Sequence, residues 1–254
     1  MNRTVLIVGS LVVLTISAGC LGGAVLGGSS GDDAPSYPET PSELTNESVA
    51  EYARQYERTA TYREVKKSDN RVNLTCNATV EDRTDEGFYA RAGCAVTTRS
   101  NGGVGSGGPG IGRAYFVNDS ETVRVAPERV SDRSYAALYN GSKRSENLVS
   151  GPGLRVVNFD TERHVAKIGL TYLDGSSPES AFEEEYKVSA ESGVEQSTVT
   201  LRKGTYRLRV ELDDGTAASY RWSVTRETDL ATAHVTRSGE IALRTPSGIR
   251  LPKS

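Results

Sequence analysis

Several residue types are scarce in this chain, and their scarcity limits the chemistry available to it. The 254 residues include two histidines, one methionine and one tryptophan. Metal sites built from imidazole or thioether ligands therefore have few ligands to draw on. His164 and His234 fall on predicted strands with no acid or nucleophile beside them in sequence. We expect no catalytic residue, no metal site and no cofactor, and thus a protein that is not an enzyme.

An excess of positive charge is also missing. Thirty Lys and Arg residues against 33 Asp and Glu residues give a net charge of -3 at pH 7. A chain of this charge repels the phosphate backbone, so nucleic acid is not an expected partner.

Long apolar runs are missing except at the N-terminus, where Val5 to Ile16 is mostly apolar and follows Arg3. This pattern is typical of an export signal. The ending Ser17-Ala18-Gly19-Cys20 resembles a lipoprotein signal, although Ser17 stands where that family usually has leucine. The resemblance implies that residues 1–19 are a signal peptide. It also implies that Cys20 carries a lipid, which would hold the protein to the cell membrane, facing the extracellular side.

An uncleaved transmembrane anchor is the alternative, since no charged residue occurs between Arg3 and Asp32. Four glycines between positions 22 and 28 disfavour a helix there. Either anchor leaves the bulk of the chain outside the membrane. Residues 20–44 are rich in Gly, Ser and Pro, which predicts a flexible tether.

Two cysteines follow the predicted signal cysteine. Cys76 lies on the apolar face of a strand over Arg71 to Val80, and Cys94 lies on that of a strand over Phe88 to Thr98. A hairpin turning around Asp85-Glu86 sets the two cysteines opposite each other, close enough for a disulfide that faces the core. Export would permit oxidation. Two buried free thiols are the alternative.

N-glycosylation sequons are the second mark of export. Five of the nine asparagines after the signal begin one. Some are expected to carry sugar, and the alternative for each is a chance match. The five are Asn46, Asn73, Asn77, Asn118 and Asn140.

An α+β module with the disulfide is predicted over residues 45–150. Ser48 and Glu51 form a capping box for a helix running to about Lys67, whose apolar stripe alternates with a polar face that includes Glu57. Four antiparallel strands follow, and the helix covers their disulfide face. The loop at 101–112 contains a Gly-x-Gly-x-x-Gly pattern, but no helix follows it as dinucleotide binding requires, so we expect a mobile loop tip.

Residues 151–254 are predicted to form a β-sandwich of eight strands. One of these strands is expected over Ser197 to Leu201. Another pair forms a hairpin about Asp213-Asp214-Gly215 with an odd-length loop and Leu208 opposite Trp222. Gly204-Thr205-Tyr206 stands where immunoglobulin-like domains have a tyrosine corner. This resemblance implies an immunoglobulin-like fold, so the chain as a whole is expected to be mainly β.

Three arginines point outward from that hairpin: Arg207, Arg209 and Arg221, with Arg209 predicted opposite Arg221. One interpretation is a site for an envelope protein or an acidic glycan. The other is a solvated face neutralised by Glu183 and Glu185 of another strand.

The predominance of arginine over lysine and the phrase SVAEYARQYERT resemble uncharacterised cell-surface lipoproteins of halophilic archaea. Together with the predicted anchor, the resemblance implies a membrane-anchored extracellular lipoprotein with a non-catalytic binding or envelope-organising role. The alternatives are a structural spacer without a ligand and a hydrolase with its site at the domain interface.

Overall fold

Helix α1 (Asn46–Val65) lies across one face of a five-stranded sheet in this computed structural model. The structure describes residues 35–66, 71–100, 103–107, 112–130, 151–228, 230–244 and 249–250. The predicted signal peptide, Cys20 and Asn140 lie outside these residues.

The helix is capped by Thr45, three residues before the predicted cap. Thr45 Oγ1 accepts from the Ser48 backbone N–H at 3.1 Å, and the Ser48 hydroxyl oxygen accepts from the Thr45 N–H at 2.9 Å. Ser48 therefore occupies the position where a capping box usually has Glu or Gln, and the prediction that it is the cap was wrong. The helix ends at Val65, with Lys66 as its C-cap.

The first sheet (sheet A) is antiparallel and contains the predicted hairpin. Its order is β1-β2-β4-β5, with β3 added on β2. Gly103–Gly107 is a strand rather than the predicted loop tip, because its backbone pairs with the far end of β2. The strands are β1 (Arg71–Thr84), β2 (Gly87–Ser100), β3 (Gly103–Gly107), β4 (Arg113–Val117) and β5 (Thr122–Val125).

The disulfide joins Cys76 to Cys94, which are direct partners in the β1–β2 ladder with Cα atoms 4.0 Å apart. Both lie on the side of sheet A that α1 covers, since Ala78 and Ala92 of the same alternating faces pack against the helix. The pairing and facing predicted from the sequence are confirmed.

Two further five-stranded sheets form a sandwich. Sheet B has the order β14-β13-β7-β10-β6, and sheet C has the order β15-β12-β11-β8-β9. Their strands are β6 (Glu128–Val130), β7 (Leu154–Asn158), β8 (His164–Tyr172), β9 (Glu179–Val188), β10 (Ser192–Gln196), β11 (Gly204–Leu212), β12 (Ala217–Val224), β13 (Ala231–Val235), β14 (Ile241–Arg244) and β15 (Ile249–Arg250). The chain is mainly β, with an α+β module followed by an immunoglobulin-like sandwich.

Tyr206 forms the tyrosine corner that the sequence predicts. Its ring is fully buried, and its hydroxyl donates to the Arg202 carbonyl at 2.7 Å, four residues upstream. Trp222, also fully buried, lies directly opposite Tyr206 in the β11–β12 ladder. This bond ties the chain entering β11 to the core, as in other immunoglobulin-like domains.

Two strand predictions in the sandwich were wrong. Residues 197–201 are not a strand; β10 covers 192–196, and the apolar residues after it are buried in an irregular segment. The hairpin has the predicted odd loop, but Leu208 faces Tyr220 rather than Trp222. A shift of two residues keeps every apolar side chain on the same face, so the hydrophobic pattern cannot distinguish the two registers.

Sheets A and B pack face to face. The side chains of Val157 and Phe159 lie outside the sandwich core. They pack in a second core with Tyr89, Phe116 and other residues of sheet A. The layers follow the order helix α1, sheet A, sheet B and sheet C, while the outward face of β1, which carries Asn73 and Asn77, stays exposed. In addition β6, which lies within the range predicted for the α+β module, pairs with β10 in sheet B.

A candidate binding cleft at the module junction

The junction between sheets A and B has an aromatic centre. The Tyr89 ring stacks on His234 with centroids 5.1 Å apart, and Phe159 lies 5.3 Å from Tyr89. All three side chains are fully buried. Burial raises the pKa of the Tyr89 hydroxyl above its ordinary range. Polar groups surround this centre on several sides.

Arg237 closes one side of the junction. Its Nη2 and Nε donate to the two carboxylate oxygens of Glu121 at 2.5 and 2.8 Å, and its Nη1 donates to the Phe159 carbonyl at 2.6 Å. The backbone N–H of Arg237 donates to Glu86 at 2.9 Å. The guanidinium hydrogen bonds lower the pKa of Glu121. The turn after β13 is thus fixed to the α+β module.

His234 and Glu81 meet at another side. The His234 Nε2 lies 3.4 Å from Glu81 Oε2, and Arg91 Nε lies 3.2 Å from Glu81 Oε1. Burial raises the pKa of Glu81, but His234 and the guanidinium groups of Arg91 and Arg155 outweigh that effect, and its pKa is lowered. The sequence offers His234 no acidic residue nearby, and its partner in the fold, Glu81, comes from a distant strand.

A cleft of about 370 Å³ opens at the junction, lined by both modules. Its charged lining consists of Arg91, Arg129, Arg155 and Glu195. Arg155 Nε and Nη2 donate to Glu195 Oε2 at 3.1 and 2.5 Å, while Glu195 Oε1 lies 3.6 Å from Arg129 Nη2. The rest of the lining is Gly112, Gly151, Pro152, Gly153, Ser197, Thr228 and Leu230.

Arg155 is placed by the strand that carries it. It alternates with Leu154 and Val156, which enter the sandwich core, so its side chain faces the junction and is 2% exposed. Glu195 is its direct partner in the β7–β10 ladder, which explains their ion pair. The Nη1 of Arg155 is buried and has no hydrogen-bond partner. A buried donor without an acceptor is uncommon and requires an explanation.

The predicted arginine face lies elsewhere, on the outside of sheet C. Arg207, not Arg209, is opposite Arg221, as the corrected register requires. All three side chains are exposed, and Arg209 pairs with Glu211 of its own strand at 2.9 Å. Glu183 and Glu185 lie on β9, which β8 separates from β11, so they do not lie beside these arginines. The face is a row of solvated charges.

Four of the five sequon asparagines fall within the described residues. Asn46, Asn73 and Asn77 are exposed, the last two on the outward face of β1. Asn118 is half-buried: its Oδ1 accepts from the Ser120 and Glu121 N–H groups, and its Nδ2 donates to the Glu86 carbonyl at 3.3 Å. Asn118 thus has a structural part in the turn before β5.

His164 also has an acidic partner that the sequence reading missed. Its Nε2 lies 2.8 Å from Asp160 Oδ2, four residues earlier, and Asp160 has a lowered pKa: burial raises it, but hydrogen bonds from His164 and nearby backbone N–H groups prevail. This pair lies outside the cleft lining. Within the described residues, no three His, Cys, Asp or Glu side chains are grouped to hold a metal ion.

Arg155 and Glu195 were not singled out from the sequence as site residues. An arginine within the apolar strand LRVVNF could have indicated a buried ion pair, since arginine is almost never fully buried unless it is paired. Its partner could not be found in this way, because residue 195 was not predicted to lie in a strand.

None of the helices in the described part of the chain is both long enough and apolar enough to cross a membrane. No curated protein matches the chain. One solved structure, a protein from Eubacterium rectale determined by NMR, aligns with 42% of this chain and 97% of its own at 11% identity and a TM-score of 0.26. That likeness is too weak to carry an argument. Residues 175–250, which include β9 to β15, match the family model described as the halobacterial Ig-like domain.

Proposed function

We propose that this protein is a lipid-anchored cell-surface protein with a non-catalytic binding role, exercised through the cleft between its two modules. Cys20 would carry the lipid, and exposed sequon asparagines such as Asn73 and Asn77 would carry sugar. The match of residues 175–250 to a halobacterial immunoglobulin-like domain agrees with the resemblance to halophilic archaeal proteins, and the envelope setting is inferred from that resemblance and the predicted anchor.

The observation on which the proposal rests is the charged cleft at the junction of sheets A and B. Its lining comes from sheet A, sheet B and the segment before β7, so its shape depends on both modules. Because sheets A and B share a buried core, the cleft walls are held rigidly, and little ordering is needed when a ligand binds. The charged lining consists of three arginines and one carboxylate, and this excess of arginine suits a ligand that carries negative charge.

The proposal is tested on the full chain extracted from native membranes. Intact mass is expected to show loss of residues 1–19, a gain from lipid and sugar, and two further protons after reduction of Cys76–Cys94. The extracted protein is then mixed with envelopes stripped of it and sedimented. Cosedimentation that saturates supports a binding role. An unprocessed chain contradicts the lipid anchor and favours the uncleaved transmembrane anchor, and a processed chain that does not cosediment supports the spacer instead.

A further inference from the structure

We infer that the cleft binds a small sugar acid through its carboxylate; this inference rests on the proposed binding role and names its ligand class. The first argument is charge. Glu195 is the carboxylate of the lining, and it is shared between Arg155 and Arg129. Arg91 adds a third guanidinium, and its carboxylate partner, Glu81, is shared with His234. Among the described residues, the three guanidinium groups of the lining share two carboxylates, Glu195 and Glu81, which leaves an excess of one positive charge.

The second argument is unused donor capacity. A guanidinium has five N–H donors. Arg155 uses Nε and Nη2 on Glu195, and its Nη1 has no partner although the side chain is almost fully buried. A buried cationic donor is stabilised by any anion that approaches it. Arg129 lies beside the second carboxylate oxygen of Glu195, and its side chain is 60% exposed, so a ligand can reach it. The buried Nη1 of Arg155 does not bond the ligand directly, so an incoming carboxylate is bound by the exposed Arg129 and stabilised by the nearby charge of Arg155.

The third argument is the remaining lining, which indicates the body of the ligand. Pro152 and Leu230 are its apolar residues, and no aromatic ring is among the described residues that line it. An aromatic or lipid-like ligand would find little apolar surface to bury there. Backbone of the Gly151–Gly153 segment and the side chains of Ser197 and Thr228 provide polar surface instead. The cleft volume, about 370 Å³, lies near the lower limit for small-ligand sites and suits a single sugar residue.

The inference is tested by calorimetric titration of the full chain in detergent with D-glucuronate, D-glucose and sodium sulfate. We expect glucuronate to bind, glucose not to bind, and sulfate to bind more weakly, because a guanidinium pairs best with a planar carboxylate. Arg129→Ala is expected to raise the Kd of glucuronate about tenfold, which corresponds to ~1.4 kcal/mol. Arg129→Glu is expected to abolish binding.

Arg207→Ala is the matched control, since it removes another exposed arginine, from the outside of sheet C. It should leave the Kd unchanged, and the thermal midpoints of all variants should match that of the unsubstituted protein. Equal affinity for glucose and glucuronate, or an Arg207→Ala effect as large as that of Arg129→Ala, would overturn the inference. If the protein cosediments with stripped envelopes but glucuronate neither binds nor competes, the ligand assignment fails while the binding role stands.

Discussion

Glu57 lies on the helix face that the sequence pattern assigns to solvent, yet its side chain is buried. Its Oε2 accepts from the Tyr115 hydroxyl at 2.5 Å and from Arg124 Nε at 2.8 Å, and its Oε1 accepts from the Thr61 hydroxyl at 2.9 Å. The expectation that Glu57 belongs to a polar face was wrong. Helical spacing alone does not reveal that β4 and β5 place Tyr115 and Arg124 beside it.

Glu57→Ala is expected to lower the free energy of unfolding by about 3–5 kcal/mol, because it leaves the Arg124 guanidinium without its main partner. Glu51→Ala is the control: Glu51 pairs with Arg54 on the same helix, but both side chains are exposed, so its loss should cost less than about 1 kcal/mol. Urea unfolding of the two variants measures the difference. Equal losses would contradict a special contribution from the buried network.

At the scale of elements, the β1–β2 hairpin is the longest pairing in the molecule's described part. Its two 14-residue strands join at Asp85-Glu86, and a register shift between Val80 and Asp82 marks a bulge. The disulfide lies on the helix side of this hairpin, two residues from Ala78 and Ala92, which pack against α1.

Replacing both Cys76 and Cys94 with alanine is expected to destabilise the protein by about 3 kcal/mol, because the bond closes a loop with a sequence separation of 18. The measurement is urea unfolding with and without reductant. Reductant should shift the unsubstituted protein toward the double variant and leave the double variant itself unchanged. A reductant effect of equal size on both proteins would show that the shift does not come from this bond.

At the scale of the whole molecule, the shared core of sheets A and B predicts cooperative unfolding. Trp222, the only tryptophan, reports on the sandwich, and α1 reports on the other module. We expect Trp222 fluorescence and the hydrogen-exchange protection of α1 to be lost at the same urea concentration. Loss of α1 protection at a distinctly lower concentration would mean that the modules unfold independently.

The control for this prediction is Phe159→Ala at the junction. It removes a buried ring that contacts both Tyr89 and Phe116, so both probes should shift together, by about 3–5 kcal/mol. A shift of the fluorescence transition alone would contradict a shared core.

Stability is also expected to fall as the pH drops below about 4.5, the ordinary pKa of a glutamate. Glu81, Glu121 and Asp160 all have lowered pKa values in the folded protein. The stabilisation from such groups is present above the unfolded pKa and is lost as the pH falls through the folded one. Urea unfolding between about pH 7 and pH 3 should show this decline. Glu81→Gln should make it shallower, and an unchanged slope would exclude Glu81 as a contributor.

Local pattern alone determined much of this protein. The alternation of apolar and polar residues around Cys76 and Cys94 predicted the strand face on which each cysteine lies and their pairing. The position of Tyr206 predicted the tyrosine corner that fixes the start of β11. These features depend on residues close in sequence or within one hairpin. There the two-residue period of a strand and the position of the turn allow few pairing registers.

Only the tertiary structure decided what lies at the junction. Strand alternation places Val157 and Phe159 on the face opposite Val156, but nothing in the sequence indicates that another sheet covers that face. The pairs Arg155–Glu195 and Glu57–Arg124 join residues 40 and 67 positions apart. Such contacts follow from which sheet faces are buried together. That depends on the packing of whole elements, which sequence periodicity does not encode.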